Sequence, residues 1–122
     1  MSKVDRVNEE LCHLLNEAIL YDLKDPRLNN KFVTITSVVT SKDLKDAKAF
    51  VSALNVEDLD EIVYILNQAS THIRKTMFDK VKLRFMPRFL FKKDPNLTHL
   101  KVDEILDELN TQNNNKNKDN ND

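Results

Sequence analysis

The sequence predicts one α+β domain with the element order α-β-β-α-break-α-β-α. In some segments apolar residues recur every three or four positions, and in others every second position, which are the spacings of helices and strands. The 122 residues suffice for one hydrophobic core but not for two. We therefore expect a single domain over residues 1–110 and a separate polar tail over residues 111–122.

The first helix is predicted from a capping signal and an apolar stripe. Ser2, with Asp5 three positions later, resembles a capping box. The apolar residues that follow at helical spacing are Val4, Val7, Leu11, Leu14, Leu15 and Ala18. Because Pro26 disfavours helical geometry at the preceding residue, the helix should end near Lys24, and a polar connection should follow over residues 27–31.

Two strands are predicted next, over residues 32–40 and 47–54, with a polar link between them. The first is almost wholly β-branched or aromatic, and the second alternates between two kinds of side chain. The two strands most simply form an antiparallel hairpin. The residues expected to share a face are Val33, Ile35 and Val39 in the first strand and Ala47, Ala49, Val51 and Ala53 in the second.

A longer helical segment begins at a cluster of acids, which favour a helix N-terminus through the helix dipole. The acids are Glu57, Asp58, Asp60 and Glu61, and the apolar stripe behind them is Leu59, Ile62, Leu66, Ala69, Ile73 and Met77. Ser70 and Thr71 lie in the middle of this stripe. Both compete for backbone hydrogen bonds, so we expect a bend or break there.

The third strand is predicted on both sides of Pro87. Proline cannot donate a ladder hydrogen bond, so the strand should lie at a sheet edge or a bulge at that point. The phenylalanines fit core packing better than the stacking of nucleic-acid bases. The alternating residues are Val81, Lys82, Leu83, Arg84 and Phe85 before the proline, and Phe89 and Phe91 after it.

The end of the chain changes in composition. Apolar residues at helical spacing, among acids, predict a short helix over residues 97–109. Residues 111–122 contain no apolar residue and cannot offset the entropy of ordering, so we expect a disordered tail.

Composition argues against several functional classes. The chain has no glycine, which the P-loop and the dinucleotide fingerprint need for close approach to phosphate. Cys12 is the only cysteine, and His13, His72 and His99 show no metal-ligand spacing. No apolar run approaches the roughly 18 residues of a membrane span, and the N-terminus lacks a signal-peptide pattern. We expect a cytoplasmic protein without a cofactor or a membrane partner.

Positive charge is concentrated late in the chain, although the formal net charge is only −1. Residues 71–93 contain eight cations and a single acid, Asp79. Such segregation suggests a polyanionic partner, although an ordinary solvated face is the plainer interpretation. The cations are Arg74, Lys75, Lys80, Lys82, Arg84, Arg88, Lys92 and Lys93.

The element order and several local strings resemble the ribosome-binding factor A family. The strings are Asp25-Pro26-Arg27, ITSVVTSKDLKDAKAFVS, LNQASTHIRK, LRFMPRFLFKKD and VDEILDEL. The resemblance covers roughly residues 3–109 and implies a KH-like (type II) fold, with helices on one face of a three-stranded sheet. Family members carry an Ala-x-Gly signature at the helix break, where this chain has Ala69-Ser70-Thr71.

The resemblance implies a non-catalytic, monomeric assembly factor for the immature small (30S) ribosomal subunit. Its partners would be the 16S rRNA and ribosomal proteins, and it would assist late maturation and rRNA 5′-end processing. Two alternatives stay open: a protein-interaction adaptor with an incidental basic face, and a metal-dependent nuclease built on the acid cluster. The residues assigned to RNA binding are Arg27, Lys42, Lys45, Ser70, Thr71, Arg74, Lys75, Lys82, Arg84 and Arg88.

Overall fold

The computed structural model describes residues 2–81 and 86–96. The predicted last helix and tail, and Lys82, Leu83, Arg84 and Phe85, lie outside the described residues. Within them no helix is long and apolar enough to cross a membrane. The elements are α1 (Lys3–Glu17), β1 (Thr34–Thr40), β2 (Asp46–Ser52), α2 (Leu59–Gln68), α3 (Ser70–Val81) and β3 (Arg88–Lys93).

The three strands form one sheet in the order β1-β2-β3, with the helices on one of its faces. β1 and β2 are antiparallel, as predicted, and β2 and β3 are parallel. α1 packs on β1, whereas α2 and α3 pack on β3. The sheet residues buried against these helices are Ile35, Val38, Ala47, Ala49, Val51, Phe89 and Phe91.

The first helix begins as predicted and changes character before it ends. The Ser2 hydroxyl accepts from the Asp5 amide at 3.1 Å, and the Asp5 carboxylate accepts from the Ser2 amide, which completes the capping box. Regular α geometry stops at Glu17, and a π-helical turn continues over Ala18–Asp22. The helical path therefore ends two residues before the predicted Lys24.

A β-bulge in β1 overturns one predicted assignment of a side chain to a sheet face. The pairing register shifts between Ile35 and Ser37, so the residues after the bulge change faces. Val38 is consequently buried, whereas Val39 is 53% exposed on the opposite face. The prediction that Val39 shares a face with Ile35 is wrong, because strict alternation does not hold across an inserted residue.

The helix break is confirmed, and the start of the third strand is not. Ala69 separates α2 from α3 with φ −91° and ψ 4°, one residue before the expected Ser70 and Thr71. α3 then runs as far as Val81, so the prediction of a strand at Val81 is wrong. Val81 follows Met77 at a spacing of four, which prolongs the apolar helix stripe.

Two asparagine amides take the place of a neighbouring strand at the two edges of the sheet. The Asn16 side chain accepts from the Ile35 amide at 2.8 Å and donates to the Ile35 carbonyl at 3.1 Å. Asn67 makes the same two bonds to Phe91, at 2.8 and 3.0 Å. Each amide thus satisfies the outward-pointing backbone groups of one edge residue, which would otherwise be unpaired.

Other helix side chains extend this pairing along both edges. On β1, the Cys12 thiol donates to the Ile35 carbonyl and the Asn8 side chain accepts from the Thr40 amide. Burial raises the pKa of the Cys12 thiol, which keeps it protonated and able to donate. On the β3 side, the Ser70 hydroxyl donates to the Phe89 carbonyl at 2.8 Å.

We predict that Asn67→Ala lowers the free energy of unfolding by about 1–3 kcal/mol, because it leaves the amide and the carbonyl of Phe91 without hydrogen-bond partners. Asn16→Ala should have a similar cost at Ile35. Asn55→Ala is the matched control, since Asn55 is exposed and its side chain caps nothing. Urea unfolding measures the effect, and an Asn67→Ala protein as stable as Asn55→Ala would contradict it.

The bulge gives a second prediction, on two adjacent valines. Val38→Ala should lower the free energy of unfolding by about 2 kcal/mol, since it removes two buried carbon atoms. Val39→Ala should change it by less than about 0.5 kcal/mol, because its side chain is largely exposed. The same urea experiment compares them. Equal losses for the two variants would show that the bulge is absent in solution.

Candidate nucleic-acid interface

Three of the predicted RNA-binding side chains line one open cleft of about 400 Å³ beside the start of β3. Lys45 comes from the β1–β2 loop, Arg74 from α3 and Arg88 from β3. The sequence places them up to 43 positions apart, and the parallel pairing of β2 with β3 brings them together. Asp43 also lines this cleft, so its three cations and one acid leave it positively charged and suited to an anionic ligand. It is hereafter called the cation cleft.

The β1–β2 loop is held in shape by its own side chains. The Asp43 carboxylate accepts from the Ser41 hydroxyl at 2.7 Å and from the Lys45 amide at 3.1 Å, and these bonds hold the pKa of Asp43 below its usual value. Leu44 adopts a left-handed conformation with φ 61°. The Lys45 carbonyl then accepts from the Arg88 amide at 2.9 Å, which fixes the loop to β3.

Arg74 fixes the chain where it enters β3. Its guanidinium donates to the Met86 carbonyl at 3.0 and 2.8 Å and to the Pro87 carbonyl at 3.2 Å. Two of its five N–H groups make these bonds, and three are left for another acceptor. Arg74 is therefore part of the fold as well as of the cation cleft.

Arg88 is paired with Asp46, with nitrogen–oxygen distances of 3.1 and 3.4 Å. Both side chains are more than half exposed. An ion pair in water at the surface contributes little stability, so phosphate can replace this carboxylate at small cost. Asp46 therefore does not prevent Arg88 from binding an anionic ligand.

The helix break contributes less to the cleft than the sequence predicts. The Ser70 hydroxyl donates its proton to the Phe89 carbonyl, so it has a structural role in the fold. Thr71 is exposed on the first turn of α3, and Lys75 is exposed one turn later. Lys42 is exposed in the β1–β2 loop. Within the described part of the chain, the Lys42 and Lys75 side chains form no ion pair.

The remaining predicted residues lie apart from the cation cleft or outside the structure. Arg27 forms a two-bond pair with Asp25, at 3.1 and 2.7 Å, in the turn after the π-helical segment. These bonds hold the pKa of Asp25 below its usual value. Lys82 and Arg84 lie outside the described residues, so their predicted contacts stay predictions.

Acids from distant segments neutralise part of the late cation cluster. Lys80 pairs with Asp22 at 2.9 Å, and Lys93 pairs with Asp60 at 2.8 Å. Asp58 and Asp60 belong to the acid cluster at the start of α2, and they pair with lysines from two different segments, because Asp58 pairs with Lys31. Over residues 2–81 and 86–96, no group of three or more histidine, cysteine or acidic side chains could hold a metal ion.

Two further lysines, which are not among the predicted RNA-binding residues, lie on the open face of the sheet. Lys48 and Lys92 are exposed on β2 and β3, on the side away from the helices. The signal was present for Lys48, since it alternates with the buried Ala47 and Ala49. The same holds for Lys92, which follows the buried Phe91 in the predicted third strand.

Comparisons with known proteins agree on one family. The model of the ribosome-binding factor A family matches residues 3–106. Ribosome-binding factor A of Caldicellulosiruptor bescii is 36% identical over 109 residues, which cover 87% of this chain and 83% of the relative.

Solved structures give the same answer. The crystal structure of ribosome-binding factor A from Thermus thermophilus matches with a TM-score of 0.65 and 25% identity, over 75% of this chain and 97% of its own. A homology model of the Thermus thermophilus factor, fitted into the cryo-EM map of a complex of 30S with ribosome-binding factor A, matches with a TM-score of 0.59 and 27% identity, over 73% and 92% of the two chains. The predicted KH-like α+β fold is confirmed, and the chain belongs to the ribosome-binding factor A family.

Proposed function

We propose that this chain binds the immature 30S subunit and its 16S rRNA without catalysing a reaction, and assists late maturation, including rRNA 5′-end processing. The observation that carries the proposal is the family match over residues 3–106. The fit of a Thermus thermophilus relative into the map of a complex of 30S with ribosome-binding factor A supports it. The site of action would be the bacterial cytoplasm, with the predicted domain over residues 1–110 as the binding unit.

The cation cleft supplies a physical basis for the proposed binding. Phosphates would contact Lys45, Arg74 and Arg88, with Lys42 and Lys75 on the same loop and helix as further contacts. Each contact releases counterions from the RNA, so binding should weaken steeply as salt rises. Contacts to phosphate fix the position of a nucleic acid without reading its sequence.

Binding of this kind assists maturation by shifting an equilibrium. A factor that holds one arrangement of the rRNA more tightly than another raises the population of that arrangement, and needs no catalytic group. Processing enzymes then meet the 5′ region in a form that they can cleave. Two of the four acids considered for a nuclease make other contacts, since Asp58 and Asp60 are paired with Lys31 and Lys93.

We predict that Lys45→Glu with Lys75→Glu weakens binding to immature 30S subunits at least about tenfold, because two phosphate contacts become repulsive. Neither side chain is needed for the fold, so stability should not change. Lys3→Glu with Lys24→Glu is the matched control, an equal charge change at exposed lysines away from the cation cleft. Co-sedimentation measures binding. Equal affinity of the two double variants would contradict the assigned surface.

A second prediction separates assistance from catalysis. With Mg²⁺ and labelled precursor 16S rRNA, the chain alone should yield no cleavage product above the RNA-only control. Added to immature subunits with an extract from cells that lack this protein, it should increase the yield of mature 5′ ends several-fold. The Lys45→Glu, Lys75→Glu protein should lose that increase. Cleavage by the purified chain would establish the nuclease alternative instead.

A further inference from the structure

The face of the sheet opposite the helices is open and combines apolar side chains with lysines. Val39, Lys48 and Leu90 lie side by side on the three strands. Val39 is 53% exposed and Leu90 is 48% exposed. Phe50, half-buried, and Lys92 form the next row. Neighbouring strands lie about 4.8 Å apart, so these five side chains form one continuous surface, hereafter the open-face patch.

The charge of the open-face patch favours an anionic partner. Lys48 and Lys92 form no ion pair with any described residue. The acid at this end of the sheet, Asp46, is already paired with Arg88. A partner that covered Val39 and Leu90 would also remove these two ammonium groups from water, and that is favourable only if the partner brings negative charge.

The open-face patch is continuous with the cation cleft. Arg88 lines the cleft together with Lys45 and Arg74. It also lines a groove over the sheet together with Lys48 and Leu90. A single strand of nucleic acid held in the cation cleft therefore reaches the open-face patch by crossing Arg88. From there it can continue along β3, over Leu90 and Lys92.

We propose that the open-face patch receives a single-stranded segment of the rRNA that the cation cleft binds. Lys48 and Lys92 take its phosphates, and unstacked bases pack on Val39, Phe50 and Leu90. An unpaired segment fits because only unstacked bases can lie against a protein surface, whereas a duplex presents phosphate and sugar. The inference rests on the proposed function, which supplies the RNA.

Two pairs of substitutions separate the charged from the apolar contacts. Lys48→Gln with Lys92→Gln should reduce the slope of log affinity for immature 30S subunits against log salt by about 1.4, since each phosphate contact on a single strand contributes about 0.7. Val39→Ala with Leu90→Ala should lower affinity several-fold at an unchanged slope. Lys3→Gln with Lys24→Gln, the matched control, should leave slope and affinity as they are.

Crosslinking identifies what lies on the open-face patch. A benzophenone amino acid at Leu90 should form adducts with 16S rRNA that ribonuclease removes. The same group at Leu54, 57% exposed at the far end of β2, is the control and should form few. Adducts of Leu90 with ribosomal proteins alone, or an unchanged salt slope, would overturn the inference. If either of these results is found while Lys45→Glu with Lys75→Glu still weakens binding, the inference fails and the proposed function stands. If the unmodified protein does not bind subunits, the proposed function itself is refuted.

Discussion

The closure of both sheet edges by helix side chains is the constraint on which the rest of the fold depends. A three-stranded sheet has two edge strands, and their outward amide and carbonyl groups need partners. Those groups recur every two residues, about 6.6–6.8 Å, and one helix turn rises 5.4 Å, so a helix that lies alongside the strand can match several of them. Asn8, Cys12 and Asn16 do so for β1, and Asn67, Ser70 and Arg74 do so along β3.

Edge closure also determines where positive charge is presented. Arg74 is the last member of the row along β3, and the bonds that it makes to Met86 and Pro87 position the start of the strand that carries Arg88. The Arg88 amide in turn holds the Lys45 carbonyl. The guanidinium of Arg74 and the backbones of Lys45 and Arg88 are therefore held by hydrogen bonds before any ligand arrives. A surface organised in this way loses less conformational entropy when it binds.

Local patterns in the sequence predicted the elements well, and distant partners could not be read from it. The capping box at Ser2, the hairpin and the break near Ser70 each depend on a few neighbouring residues. Val39 was misplaced because a single bulge reverses the faces of a strand. The charge count overstated the free cations because Asp22, 58 positions before Lys80, becomes its partner only in the folded chain.

The absence of glycine bears differently on the β1–β2 loop and on the helix break. In the β1–β2 loop the left-handed conformation falls on Leu44, at a cost of about 1–2 kcal/mol that the bonds around Asp43 offset. At the helix break no residue needs a left-handed conformation. Ala69 keeps a negative φ, and Thr71, where the family has glycine, lies in regular α3. The break is therefore present with threonine at position 71.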